Sequence, residues 1–376
     1  MKGIYVDDQP ADVQALVKKL SVEGLDIVVV PPEENMLSLA DKIIDARPSF
    51  VILDYRLDEY AIDAESPAVG YRAAPLAQQL RDRLDRPNVI DFPIVLISSE
   101  EKIRKLFRPE KTAHDLFDWK LIKPKVAKQD DSSRVLAGLA KGYQSLQAAD
   151  GKYGGVSLFG LDAGFEYLID WQELKVALEE AEYPHIVARY LINFVVRRQG
   201  LLIDRDNLYA VLGLATPDEQ AQAAIYAWLA ASKYSGVFSE CRNLWWSELV
   251  DALFREQFSL APNKLTALER CEELKKYLGV DISPAKDPWT SGSSYKPSFA
   301  CACCKQPTSL GHSLACFDSR LPSFVRRLRI CYRCVQKDRI QEDRSSHDDD
   351  YPLQVDGGDE VIARRLRSGE LRPEVA

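Results

Sequence analysis

No apolar run in this chain of 376 residues approaches the ~20 residues a helix needs to span a bilayer. The N-terminus leads straight into the strand-like Lys2-Gly3-Ile4-Tyr5-Val6, so the expected location is the cytoplasm. An excess of positive charge is lacking as well. With 49 Lys and Arg against 57 Asp and Glu, a net of −8, the whole molecule has little non-specific attraction for nucleic acid. Cysteine is nearly confined to one window. Six of the eight fall between residues 301 and 334, which reads as metal binding and not as a disulfide framework. The middle of the chain carries no paired acids at motif spacing, no phosphate-cradling glycine loop and no nucleophile elbow. What remains is a globular composition, 46% hydrophobic and 28% charged, long enough for two or three domains.

The first half is built on short apolar runs that stop on reactive polar groups. Phe50-Val51-Ile52-Leu53 is long enough for a strand buried on both faces of a parallel sheet, and it stops on Asp54. Lys2–Val6 stops on Asp7-Asp8, Pro93–Ile97 on Ser98-Ser99, and Leu121-Ile122 on Lys123-Pro124. In an open α/β sheet, functional groups collect at the carboxyl ends of the strands. Helical spacing fills the gaps at Asp12–Leu20, Leu37–Ala46, Tyr71–Leu84, Glu101–Arg108 and Ser133–Leu146, with Leu25–Val30 as a further strand and Ser133 as the expected N-cap. This alternation predicts a five-stranded parallel sheet covered by helices on both faces, doubly wound and flavodoxin-like.

Acid pair, aspartate, hydroxyl and lysine-proline, in that order, resemble the receiver domain of two-component response regulators over roughly residues 1–148. The resemblance implies that Asp54 is the phosphoacceptor. It implies that Asp7, Asp8, Asp54 and the Arg56 carbonyl hold magnesium, that Lys123 pairs with a phosphoryl oxygen, and that Ser98 bonds the phosphoryl group. The chemistry suits those types: phosphoryl transfer to a carboxylate needs charge neutralised on both reactants, and crowded carboxylates attract a hard divalent cation. Two features depart from the family. An insertion, Glu59 to Val69, stands beside the acceptor, and Lys120 occupies the place of the usual Tyr or Phe, with Trp119 one residue earlier.

The glycine-rich residues 149–155 read as a linker. Residues 156–283 read as an almost wholly helical domain. Helices are expected around Phe165–Leu178, from Pro184 to Gly200, from Thr216 through Ala230, and at Trp245–Phe258 and Leu265–Leu278. Trp171, Trp228, Trp245 and Trp246 read as core, and His185 as an ordinary residue near a helix start. Leu201–Leu214 has the length of part of a helix-turn-helix but not its basic charge.

Residues 284–298 read as a second linker. A zinc-ribbon-like module follows at 299–340, with Cys301, Cys304, Cys331 and Cys334 as favoured ligands, because two C-x-x-C knuckles supply four thiolates. Cys303, Cys316 and His312 are rivals or ligands of a second site. A closed four-thiolate site is structural. Arg320, Arg326, Arg327, Arg329, Arg333, Lys337 and Arg339 form a basic stretch with Phe324 and Tyr332 interleaved. The tail, 341–376, is polar and mostly acidic apart from Val361–Leu366 and reads as largely disordered.

The expected function is phosphorelay signalling: a response regulator phosphorylated on Asp54 by a histidine kinase or related ATPase, with magnesium and zinc as metals. Output goes to an unidentified protein partner. The chain is not expected to turn over an external substrate. The alternatives are a DNA-binding regulator using the basic zinc region, or a constitutive adaptor with a receiver-like docking domain.

Overall fold

A computed structural model describes residues 1–22, 24–60, 68–99, 102, 115–128, 131–169, 171–318, 321–339 and 353–373. These form two compact units. Among the described residues no helix is long and apolar enough to cross a membrane.

The first unit comprises residues 1–163, 175–192 and 235–242. Its centre is a five-stranded sheet of β1 (Lys2–Val6), β2 (Asp26–Val30), β3 (Phe50–Asp54), β4 (Ile94–Ser98) and β5 (Trp119–Ile122), in the order β2-β1-β3-β4-β5. Every pairing is parallel. This is the order of flavodoxin-like doubly wound sheets. All five residues of β3 and of β4 are buried, as continuous apolar runs demand when helices cover both faces. Alternate residues divide between the faces. Ile4, Val6, Val51, Leu53, Ile94 and Leu96 share one core with Leu39 and Ile43 of α2 (Met36–Asp45) and Leu76 and Leu80 of α3 (Ala73–Asp82). α1 (Gln14–Leu20) and α4 (Asp131–Ala148) pack together, and α4 also lies against β3. Gly3 has a packing reason: a Cβ there would stand 2.2 Å from the ring of Phe50, its register partner on β3.

The expected helix Glu101–Arg108 lies outside the described residues except Lys102. Ser133, expected as an N-cap, is instead buried within α4, which begins at Asp131. The unit also runs past residue 148, where a linker was expected. Gly138 and Gly142 of α4 leave room for the segment 235–242. A Cβ on Gly142 would fall 2.2 Å from the Phe238 ring, and one on Gly138 2.9 Å from the Cys241 amide. After α5 (Gln172–Glu179), α6 (Pro184–Leu191) packs on α4 as well. His185 there donates its amide to Asp91 Oδ2 at 2.8 Å. Arg81 joins Asp91 and Asp118 at 2.7 and 2.8 Å, and Tyr143 closes this buried network on Asp118 at 2.7 Å.

The second unit comprises residues 164–174, 193–234 and 243–376. It is not wholly helical. β6 (Leu202–Asp204) and β7 (Leu244–Trp246) pair antiparallel, and each leads directly into a helix, α7 (Arg205–Leu212) and α9 (Ser247–Phe258). Trp245 and Trp246, expected to open a helix, therefore lie in a strand. They are 1% and 2% exposed, large apolar rings that suit a pleated, buried surface. α8 (Glu219–Trp228) starts on Asp218, not Thr216: its carboxylate accepts from the Ala221 amide at 2.8 Å. α10 (Ala267–Leu278) starts with a full capping box between Thr266 and Glu269. Trp245 and Trp246 are core as expected and half-buried Trp228 packs on Phe254, Phe258 and Tyr277, but Trp171, also expected in the core, is exposed, with its ring 6.5 Å from that of Phe324.

Two further expectations are corrected. Residues 284–298 are packed, not a free linker: Ala285 donates to Gly213 O at 2.9 Å, and Asp287 and Trp289 are buried. The tail contains a helix, α12 (Glu360–Arg367), whose Ala363 and Leu366 enter the core of the cysteine module. In that module β8 (Phe299–Ala300) pairs antiparallel with β9 (Pro307–Thr308), and the core also holds the antiparallel pair β10 (Ser313–Ala315) and β11 (Arg329–Cys331) and the short α11 (Tyr332–Gln336). Residues 340–352 lie outside the described residues.

Candidate functional site

The parallel sheet brings the first set of candidates to one edge. Asp7 and Asp8 follow β1, Asp54 and Ser98 end β3 and β4, and Lys123 follows β5. Asp7, Asp8 and Asp54 are 1%, 6% and 4% exposed, so three carboxylates share a largely dry site. Lys123 Nζ stands 2.9 Å from both Asp54 Oδ1 and Asp7 Oδ2. The Arg56 amide donates to Asp54 Oδ2 at 3.2 Å. Asp8 Oδ2 accepts from the amides of Glu59 and Tyr60 at 3.1 and 3.0 Å. These are the first residues of the insertion, of which 61–67 lie outside the described residues.

The electrostatics follow from burial. Desolvation pushes the Asp54 carboxyl up to about 6, against the opposing pull of Lys123. Burial also raises Asp8, while its two amide donors oppose the shift. Burial works against the charge on Lys123, yet Asp54 and Asp7 outweigh it and hold the ammonium above its ordinary value. At neutral pH Asp54 is thus chiefly an anion, in contact with a cation. Ser98 is 1% exposed, and its Oγ has no hydrogen-bond partner among the described residues. An unused buried hydroxyl is costly unless a ligand engages it.

Three carboxylates against one ammonium leave excess negative charge and an all-oxygen donor set, which fits a hard divalent cation. The oxygens are not drawn into a tight cluster: Asp8 is turned to the insertion amides, and Lys123 spans Asp7 and Asp54. Tyr5 was missed in the sequence. Its hydroxyl donates to Asp7 Oδ2 at 2.7 Å, and the signal was positional, because residues two apart on a strand share a face. The Arg56 guanidinium pairs with Asp58 and Glu59, and Glu59 pairs in turn with Lys102.

The second cluster is of sulfur. Cys301 and Cys304 come from the turn after β8 (Phe299–Ala300), Cys331 ends β11, and Cys334 lies in α11. Their four sulfurs lie within 4.8 Å of one another. Among the described residues no other group of three or more Cys, His or carboxylate ligands converges in this way. Cys304 and Cys331 Sγ are 3.8 Å apart, close to the edge of about 3.8 Å expected for a tetrahedron with Zn–S of about 2.3 Å. The Cys331 amide donates to Cys301 Sγ at 3.2 Å. Hydrogen bonds from Cys303, Cys304, Cys331 and Cys334 hold the Cys301 thiol well below its ordinary value, while hydrogen bonds with Cys301 push Cys303, Cys304 and Cys331 up: the cluster shares its protons, and a soft cation bound to the four converging sulfurs would release them.

Of the rivals, Cys303 neighbours Cys301 and Cys334 but stands outside the four-sulfur set. Cys316 is buried and bridges to Val355 through the backbone. His312 Nδ1 is engaged by Asp287 Oδ2, and the residue is not among the converging ligands. The helix-turn-helix alternative finds no support in α7, because Asn207, Leu208, Tyr209, Ala210 and Leu212 are all buried.

No family model and no curated protein matches the chain. A search of solved structures finds a response regulator protein from Burkholderia pseudomallei, crystallised with a phosphorylated aspartic acid, calcium ion and citrate. The two chains are 14% identical, and the match covers 50% of this chain and 96% of that one at a TM-score of 0.23. A likeness that weak carries no argument. The flavodoxin-like assignment of the first unit rests on its strand order, and the metal centre on the convergence of four sulfurs.

Proposed function

We propose that this protein is a phosphorylation-controlled signalling protein whose first unit is a receiver domain with Asp54 as phosphoacceptor. The observation that carries the reading is the meeting of Asp7, Asp8, Asp54, Ser98 and Lys123 at the carboxyl edge of one parallel sheet. Asp54 presents an ionised oxygen to the phosphorus of an incoming donor, such as the phosphohistidine of a kinase. Lys123, already 2.9 Å from Asp54 Oδ1, would meet a phosphoryl oxygen, and the idle Ser98 hydroxyl would bond the product. Asp7, Asp8, Asp54 and the Arg56 carbonyl would hold magnesium, which supplies charge neutralisation when bound. The chain modifies itself and is not an enzyme acting on an external substrate.

The cysteine module is a structural zinc site, since four thiolates leave no open position. Output runs through protein contacts of the second unit. A second reading, contact with nucleic acid, has a specific observation in its favour. α12 turns Ala363 and Leu366 inward and exposes Arg364, Arg365 and Arg367, adding to exposed Arg333, Lys337 and Arg339 of the same module. Binding of that kind falls steeply with salt.

The deciding measurement is intact mass after incubation with acetyl phosphate and magnesium. One phosphoryl group is expected on the parent and none on Asp54→Asn. Labelling that persists in Asp54→Asn, or none with any small donor or kinase, rules the reading out and leaves a docking domain.

A further inference from the structure

In the second unit lies a cavity of about 760 Å³ lined by α9 and by the chain around residues 262–270 and 297–298. Such a volume suits a small metabolite. Arg270 is among its lining residues and is only 1% exposed. Its Nε donates to Leu265 O at 3.0 Å, and its Nη1 to Val211 O and Pro297 O, each at 2.8 Å. Its Nη2 has no hydrogen-bond partner among the described residues, and no carboxylate there pairs with it. The carbonyls at the end of α7 offset part of the charge. They do not replace a counter-ion, and burial draws the guanidinium down to about 10. A buried cation without a counter-ion is costly.

Arg326 lines the same cavity and also has no carboxylate partner among the described residues; its Nη2 donates to Ser247 Oγ at 3.2 Å. On the same wall Asp251 is already paired with Arg255, whereas Arg270 and Arg326 have no acid partner among the described residues, an arrangement that an oxyanion completes. Glu248, on the cavity wall, offers an acceptor to the rest of such a molecule.

We propose that this cavity binds a small metabolite bearing a carboxylate or phosphate. Its anionic end meets Arg270 and Arg326, and a hydroxyl or amino group faces Glu248. The arginines act together: Arg270 supplies a pre-fixed charge from within, and Arg326 closes on the anion from the exposed side.

The test uses the full-length protein with inorganic phosphate, acetate and adenosine monophosphate as probes at constant ionic strength, read by calorimetry and thermal shift. At least one probe is expected to bind with one-to-one stoichiometry and to raise Tm, with phosphate and acetate separating the two anion classes. Arg326→Ala should weaken binding about tenfold. Ala252→Trp, on an exposed position of the cavity wall, should abolish it without moving the ligand-free Tm. Arg270→Met, if it folds, should lose binding while keeping its stability without ligand. The proposal is overturned if no probe binds, or if Arg326→Ala and Ala252→Trp bind as the parent does. Both variants remain decisive should Arg270→Met not fold.

Discussion

The aspartate cluster and the cysteine cluster handle the same difficulty, crowded acidic groups away from water, in opposite ways. Around Asp54 the carboxylates are held apart by donors: Lys123 between Asp7 and Asp54, and the Glu59 and Tyr60 amides on Asp8. Around Cys301 the four sulfurs converge within 4.8 Å, with one amide on one sulfur. The first arrangement is satisfied in part by the protein's own donors, with Ser98 Oγ unpartnered among the described residues. The second fits a cation held by all four sulfurs. On the proposed reading, that difference separates a site that switches from a site that holds a fold.

The largest expected effect lies on the sulfur side. Zinc bound by such a small module contributes on the order of 10 kcal/mol to the folded form. Elemental analysis should give about one zinc per chain for the parent and none for the double variant Cys331→Ser, Cys334→Ser. In that variant the amides of β10, β11, α11 and α12 should lose hydrogen-exchange protection. Full metal content in the double variant would transfer the ligand role to Cys303 and Cys316.

On the aspartate side the effect is smaller and has the opposite sign. The carboxyl of Asp54 stands at about 6 in the folded protein, against 3.8 ordinarily. Between these values the folded state holds the proton and the unfolded state releases it. Stability is therefore greatest below the ordinary value and falls as pH rises towards 6. At 1.36 kcal/mol per unit the penalty at neutral pH is up to about 3 kcal/mol. Without divalent cations, Asp54→Asn should be more stable than the parent at pH 7, and the gain should vanish on acidification. Denaturant titrations at several pH values check this. A gain independent of pH, or a loss at pH 7, would mean that Lys123 already compensates Asp54 in full.

The same contrast explains what could be read from the sequence. The sheet and its edge were legible because each strand is one apolar run and each functional residue sits at the run's end. The sulfur knuckles were legible because the turns that place them are local. Long-range packing was not. Gly138 and Gly142 on a helix read only as weak helix formers, and nothing local says that Phe238 and Cys241 approach them. β6 and β7 are three residues each, too short for an alternation signal, and Trp245 begins a run that also has helical spacing. The α12 helix was hidden by its acidic surroundings, although Ile362, Ala363 and Leu366 fall on one side of a helix.

The smallest effect concerns the residue that sequence reasoning passed over. Tyr5 is fully buried, and its hydroxyl donates to Asp7 Oδ2 at 2.7 Å. That oxygen also faces Lys123, while Oδ1 accepts from the Gln9 amide at 2.9 Å. Removing the hydroxyl in Tyr5→Phe takes one donor from a carboxylate that keeps two others, and it leaves no polar orphan on the ring. The loss should thus be the net worth of a single hydrogen bond to a charged acceptor, about 1–2 kcal/mol, seen as a lower urea midpoint with unchanged slope. Freed from Tyr5, Asp7 should bind a divalent cation no more weakly than in the parent, which calorimetry with magnesium would show. A loss well beyond that range, or weaker magnesium binding, would make Tyr5 the element that aims Asp7 into the site. The aspartate cluster would then depend on a fixed shell as strictly as the cysteines depend on their metal.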